Sequence, residues 1–154
     1  MTVELERADE AHRVRFLDLR RPFFASQIAA GLLDLPEDLE EMLETTTGGL
    51  LSSRRNDVVL ATGPSDLGYV YATTRVVPGM KSGKIGIIEE LYVVPECRKS
   101  SVATELVSHA IALLRERGAD RIQTRVLAQN LPARAFWQRT GFVENVAIME
   151  LEAD

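Results

Sequence analysis

Cysteine and tryptophan each occur once in these 154 residues, and histidine occurs twice. A lone Cys97 cannot close an internal disulfide, so a reducing, cytoplasmic setting is the simpler expectation. His12 and His109 have no cysteine or histidine at ligand spacing, and no metal site is expected. No apolar run approaches the roughly 18 residues of a membrane-spanning helix. Residues 1–10 are polar and acidic where a secretory signal would carry an apolar core. A basic surplus is also missing: 18 Lys and Arg against 23 Asp and Glu leave a formal charge of −5. Nucleic-acid binders usually show the opposite footprint. These absences point to a protein with no membrane and no nucleic-acid partner, and the acidic balance is compatible with a cationic amine as substrate.

The hydrophobic fraction of 45% and charged fraction of 27% suit a globular protein of one domain over residues 1–154. Residues 3–6 alternate apolar and polar as a half-buried strand does. Residues 8–33 follow a helical pattern with Val14, Phe16, Leu17 and Leu19 on its stripe, and Pro22 is expected to break or kink it. Residues 34–44 read as a second, acidic helix ended by Thr45-Thr46-Thr47-Gly48-Gly49. Three strands follow, at 58–62, 67–77 and 84–94. The last is almost continuously apolar, as in strands buried on both faces, except for Glu89 and Glu90. Val102, Leu106, Val107, Ala110, Ile111, Leu113 and Leu114 mark an amphipathic helix over 101–117, with Gly118 placed to cap it. A strand over 121–127, a short helix over 132–140, and strands at 142–143 and 146–151 complete the order β-α-α-β-β-β-α-β-α-β-β, a mixed α+β fold.

Residues 89–142 carry the chemistry. A buried strand ends at Val93-Val94-Pro95, and a short polar loop leads directly into the amphipathic helix. A helix N-terminus presents unpaired N–H groups and the positive end of its dipole, which suits a phosphate. Arg98 and Lys99 add charge there. Residues 91–106, Leu-Tyr-Val-Val-Pro-Glu-Cys-Arg-Lys-Ser-Ser-Val-Ala-Thr-Glu-Leu, resemble the acetyl-CoA-binding motif of the GNAT N-acetyltransferases, here reading Arg98-x-x-Ser101-x-Ala103. A second segment, Asn130-Leu131-Pro132-Ala133-Arg134-Ala135-Phe136-Trp137-Gln138-Arg139-Thr140-Gly141-Phe142, is similar to that family's Asn-x-x-Ala-x-x-Phe-Tyr-x-x-x-Gly-Phe.

The resemblance implies a mostly antiparallel mixed sheet flanked by helices, with acetyl-CoA filling a gap between the fourth and fifth strands. Backbone groups of Leu91, Tyr92 and Val93 would pair with the pantetheine arm. The N–H groups of Arg98, Lys99, Ser100, Ser101, Val102, Ala103 and Thr104 would hold the pyrophosphate. Asn130 would bond the pantetheine, and Phe136 and Trp137 would pack near the thioester. The implied activity is acetyl transfer to a primary amine by direct attack in a ternary complex. Homodimers are common in the family, and residues 146–151 are a candidate interface strand.

The sequence departs from the motif in two places. Ser101 and Lys99 stand where glycine is preferred or common, and glycine lets backbone approach phosphates. Trp137 replaces a tyrosine that protonates the leaving thiolate, and an indole N–H is a donor but no practical acid. A catalytically weak or silent module binding CoA or a protein partner is therefore the second reading. An alkylamine needs a general base at neutral pH. Glu89 and Glu90, adjacent in a strand, should face opposite ways, so one of them should reach the cleft. The family places its base on the face shared with Leu91 and Val93, which favours Glu89; the competing reading pairs both with arginines. Cys97 is read as packing, His12 and His109 as structural, and the acidic run 34–44 as a solvated face or a selector of cations. Phe23, Phe24 and Ile28 are read as acceptor wall or core.

Overall fold

The computed structural model describes residues 2–34, 36–79, 81 and 83–153. Five strands form one sheet in the order β1-β2-β3-β4-β5: β1 (Glu4–Arg7), β2 (Asn56–Thr62), β3 (Asp66–Val76), β4 (Lys84–Val93) and β5 (Arg121–Thr124). The first four are antiparallel neighbours, and β5 runs parallel to β4. Helices α1 (Arg13–Ala29) and α2 (Leu39–Ser52) connect β1 to β2, α3 (Val102–Glu116) connects β4 to β5, and α4 (Leu131–Arg139) follows β5. No helix of the described residues is long and apolar enough to cross a membrane.

The two faces of the sheet carry different cores. On one, Val59, Val70, Ala72 and Ile88 meet Val102, Leu106, Val107, Ala110 and Leu114 of α3, joined by Trp137 of α4. The i, i+4, i+5 spacing on α3 turns these side chains toward the sheet, and each fully buried leucine stabilises by roughly 1.5–3 kcal/mol. On the other face Phe16 and Leu19 of α1 cover Val58, Leu60, Tyr69 and Tyr92. Gly68 keeps β3 and β4 together near the ends of this pair: a Cβ there would stand 2.3 Å from the Tyr92 carbonyl oxygen.

Two expectations need correction, and of the two outcomes expected at Pro22 the break does not occur. Pro22 lies inside α1 without ending it; it is exposed, so water can satisfy the carbonyl that its missing N–H leaves free. The Thr45–Gly49 stretch continues α2 instead of ending it. Thr47 is fully buried, and both Thr46 Oγ1 and Thr47 Oγ1 accept 2.9 Å hydrogen bonds from Arg20 Nη1, so tertiary contacts override weak helix propensity. The two last strands are not formed: residues 142–153 are neither helix nor strand. Val143, Val146, Ile148, Met149 and Leu151 are exposed along them, and without a paired neighbour an alternating pattern has nothing to fix it as a strand.

Candidate active site

Strands β4 and β5 pair only from Ile85↔Arg121 to Ile88↔Thr124. A 3.1 Å bond from Thr124 Oγ1 to the Ile88 carbonyl closes the last rung, and β5 ends there. Residues 90–93 of β4 continue with β3 alone, which leaves their other edge open. Val94 N–H bonds Leu67 O on β3 at 2.8 Å. Alternation along the strand therefore turns the peptide groups of Leu91 and Val93 to the open edge. At the end of that edge, Arg98 Nε donates to Val93 O at 3.1 Å, and its guanidinium lies 5.8 Å from the Tyr92 ring centroid.

Next comes a short 3-10 turn over residues 95–97, and then the loop into α3. Lys99 is in the left-handed region, φ 68°, the conformation that makes glycine usual in such loops. Ser100 Oγ donates to Cys97 O, and Ser101 Oγ donates to Glu105 Oε2 at 3.1 Å. Val102 N–H reaches Ser100 Oγ at 3.4 Å. Ala103 and Thr104 open the helix, where N–H groups have no intrahelical acceptor. Cys97 packs against the α3-side core.

The other side of the sheet holds the carboxylates. Tyr71 pairs with Glu90 and Ala72 with Ile88, so Glu89 is the extra residue of a β-bulge. A bulge suspends the alternation of faces. Glu90 and Glu89 both come to the α1–α2 side, while Leu91 and Val93 pack with the α3-side core. The simple alternation rule, which set Glu89 on the face of Leu91 and Val93, therefore fails at this point.

The two carboxylates have opposite surroundings. Glu90 Oε1 accepts from Tyr69 Oη at 2.7 Å and from Arg20 Nε at 3.1 Å, and Glu90 Oε2 accepts from Arg20 Nη2 at 3.0 Å. Arg20 is itself 3% exposed, with its guanidinium 5.0 and 5.5 Å from the ring centroids of Phe24 and Phe16. Burial first, and then the Glu90 charge, raise the Tyr69 phenol well above its usual value, so it stays a donor. Glu90 is thus a paired, hydrogen-bonded anchor of α1 and α2 on β4. Glu89, by contrast, is exposed and lines an open cleft of about 410 Å³ with Tyr71 and Thr73. The Tyr71 phenol is pushed up to about 12, by burial first and then by Glu89 and Glu90, against the pull of Arg20 and Arg55.

The remaining sequence candidates divide between site and scaffold. Asn130 caps α4, its Oδ1 accepting from Ala133 N–H at 3.3 Å. Trp137 is 8% exposed and packs edge-on between Phe136 and Phe142, with ring centroids 5.1 and 5.0 Å away. Phe23 packs against Tyr69 and Tyr92. His12 bonds Glu6 and Asp9, and Glu6 first among them holds its imidazole above the usual value. Glu37, Asp38 and Glu41 line a second, shallower cleft with Met42; of the acidic run, Leu35 lies outside the described residues. Sequence reasoning missed Arg20. Its signal was there: a cation four residues after Phe16 and three before Phe23, on the stripe that faces the sheet.

Residues 14–142 match the family model described as acetyltransferase (GNAT) family, and the chain belongs to that family of acyltransferases. None of the curated proteins matches it by sequence. Among solved structures it is similar to AAC(6')-Iy in complex with a bisubstrate analogue, CoA-S-monomethyl-acetylneamine. There the TM-score is 0.81 at 16% identity, over 100% of this chain and 99% of the other. It is similar also to the aminoglycoside antibiotic 6'-N-acetyltransferase AAC(6')-IG from Acinetobacter haemolyticus, with TM-score 0.78, 22% identity and 98% of each chain covered. A third is a ribosomal-protein-alanine N-acetyltransferase from Brucella melitensis, with TM-score 0.76, 15% identity, and 99% and 100% of the two chains covered. At these identities the likeness is one of fold.

Proposed function

We propose that this acyltransferase moves an acetyl group from acetyl-CoA to a primary amine, by direct attack in a ternary complex. One observation carries the reading: the β4 bulge brings the Glu89 carboxylate into an open cleft at the point where β4 and β5 part. Both reactants could therefore meet at one turn of one strand. The open peptide groups of Leu91 and the N–H of Val93 suit the amide-bearing pantetheine arm, which would add to the sheet as a strand does. The amides of residues 98–104 suit the pyrophosphate. Arg98 holds Val93 O, so its part is to shape the loop. Asn130 keeps its amide nitrogen for the pantetheine while its oxygen caps α4.

In this scheme Glu89 accepts the proton of the incoming ammonium, and the amine nitrogen attacks the acetyl carbonyl. A strand N–H near residues 91–93 stabilises the developing oxyanion. The carbon–sulfur bond then breaks; the nitrogen gives its second proton to water and the thiolate takes one from water, because the buried Trp137 indole is no acid. Glu90, with both oxygens engaged, has no part in the proton transfer.

The test is calorimetric titration with acetyl-CoA followed by turnover on an amine panel. Micromolar binding is expected, with Glu89→Gln lowering kcat by roughly 10²-fold at unchanged cofactor affinity. No detectable binding at millimolar acetyl-CoA would overturn the enzyme reading. The second reading, a silent GNAT module, draws on the Ser101–Glu105 bond, which sets a carboxylate at the phosphate loop. Binding without turnover of any amine would favour it. The free Cys97 supports a cytoplasmic setting. A homodimer belongs to the same proposal, because Val143, Val146, Ile148, Met149 and Leu151 are exposed apolar side chains that a second copy could cover. Light scattering of the full chain against a Val146→Lys/Ile148→Lys variant checks this.

A further inference from the structure

The cleft that holds Glu89 is not uniformly acidic. Arg55 and Arg75 line it with Glu89, Tyr71, Thr73 and Gly49, and neither arginine forms an ion pair among the described residues. Strand pairing brings the two together. The Arg55 carbonyl accepts from Thr74 N–H at 3.3 Å and from Thr73 Oγ1 at 3.4 Å, so Arg55 is held beside the strand position next to Arg75. Glu89 stands at the other end, in the bulge opposite Tyr71 and Ala72. Tyr71 and Arg75 are four residues apart on β3, about 14 Å between Cα atoms at ~3.4 Å per residue, a span that the arginine side chains shorten. The floor between them is polar, through Thr73 and the Tyr71 phenol. Above it Gly49 leaves room, since a Cβ there would meet nothing within 4 Å.

From this geometry, and resting on the acetyltransferase reading above, we infer that the acceptor is a zwitterionic amine. Its ammonium is taken up by Glu89, and an anionic group several bonds away, a carboxylate or a phosphate, is held by Arg55 and Arg75. Two cations at one end and one carboxylate at the other are opposite in sign to the two ends of such a molecule. A polycation would meet repulsion at the arginine end. The cleft lined by Glu37, Asp38 and Glu41 is the more acidic one, and it does not include Glu89. Arginine is also the residue whose planar fork matches carboxylate and phosphate oxygens.

The experiment uses the full chain, acetyl-CoA and matched acceptors: 5-aminopentanoate against 5-aminopentanamide, 4-aminobutyl phosphate against 4-aminobutanol, with neamine as the polycation. The charged member of at least one pair should exceed its neutral partner at least tenfold in kcat/KM, and the pair with the wider gap identifies the anion. Arg55→Ala/Arg75→Ala should raise KM for that charged acceptor at least tenfold. It should leave kcat, the neutral partner and the thermal midpoint nearly unchanged, and Arg54→Ala should do nothing. Equal turnover of charged and neutral partners, or a preference for neamine, overturns the inference and leaves the acetyltransferase reading standing. Turnover of no acceptor at all overturns both, and acetyl-CoA titration of the same sample then separates a silent CoA-binding module from a chain that has lost its cofactor.

Discussion

The two faces of the sheet are held by different physics. On the α3 side the contacts are apolar and redundant: Leu106, Leu114, Val102 and Val107 are all buried together, and each loses little if a neighbour relaxes. On the α1–α2 side a single cation, Arg20, reaches Glu90, Thr46 and Thr47 at once, with Tyr69 Oη on the same carboxylate. A network of that kind is all-or-nothing. It fixes the geometry of helices and strand beside the bulge, whereas the apolar side mainly supplies burial. The cleft of Glu89 lies on the face where position is specified by directional bonds.

The comparison can be broken by removing one group from each face. Arg20→Met leaves Glu90 buried without its cation and should cost about 3–5 kcal/mol, measured by urea unfolding; adding Glu90→Gln should recover part of it. A loss under about 1 kcal/mol would show that the polar face is no anchor. Leu106→Ala, in the middle of α3, should cost about 2–4 kcal/mol and leave the KM values of the cleft unchanged. Any specific change in acceptor KM would erase the proposed division of labour. Lys99→Gly removes a side chain from a left-handed backbone position and should raise stability by about 0.5–1 kcal/mol, with acetyl-CoA affinity equal or better. The effect that is smallest at neutral pH concerns Tyr71. Its phenol ionises at about 12 in the folded chain against roughly 10 unfolded. The stability this contributes is complete below pH 10 and is lost as pH rises through 12. Tyr71→Phe should flatten the alkaline limb of the stability–pH curve.

How much could be read from the chain follows the same division. The α3 face was legible because a hydrophobic stripe at helical spacing has one meaning in a chain with no membrane run: Val102, Leu106, Val107, Ala110 and Leu114 were named from spacing and are buried. The strand before the loop and the loop itself were legible from the family's motifs. The polar face was not. Nothing local says that Thr45–Gly49 stays helical, since the bonds that hold Thr46 and Thr47 come from Arg20, 26 and 27 residues away in sequence. Nor does a strand announce its bulge. One inserted residue at Glu89 reverses the rule that adjacent side chains face opposite ways, which is why Glu89 and Glu90 share a side and differ in everything else. Residues 142–151 mislead for the complementary reason: alternation is a necessary mark of a strand, but pairing makes one.

The strand that parts from its neighbour at Ile88 has a cost when its ligand is scarce. The open peptide groups of Leu91 and the N–H of Val93 are a template on which an extended chain can lie down, and the exposed residues 143–151 carry the alternating pattern of one. If the pantetheine arm occupies that edge, it does for this protein what a permanent strand does for others, and the time the chain survives in solution before associating wrongly becomes a function of CoA concentration.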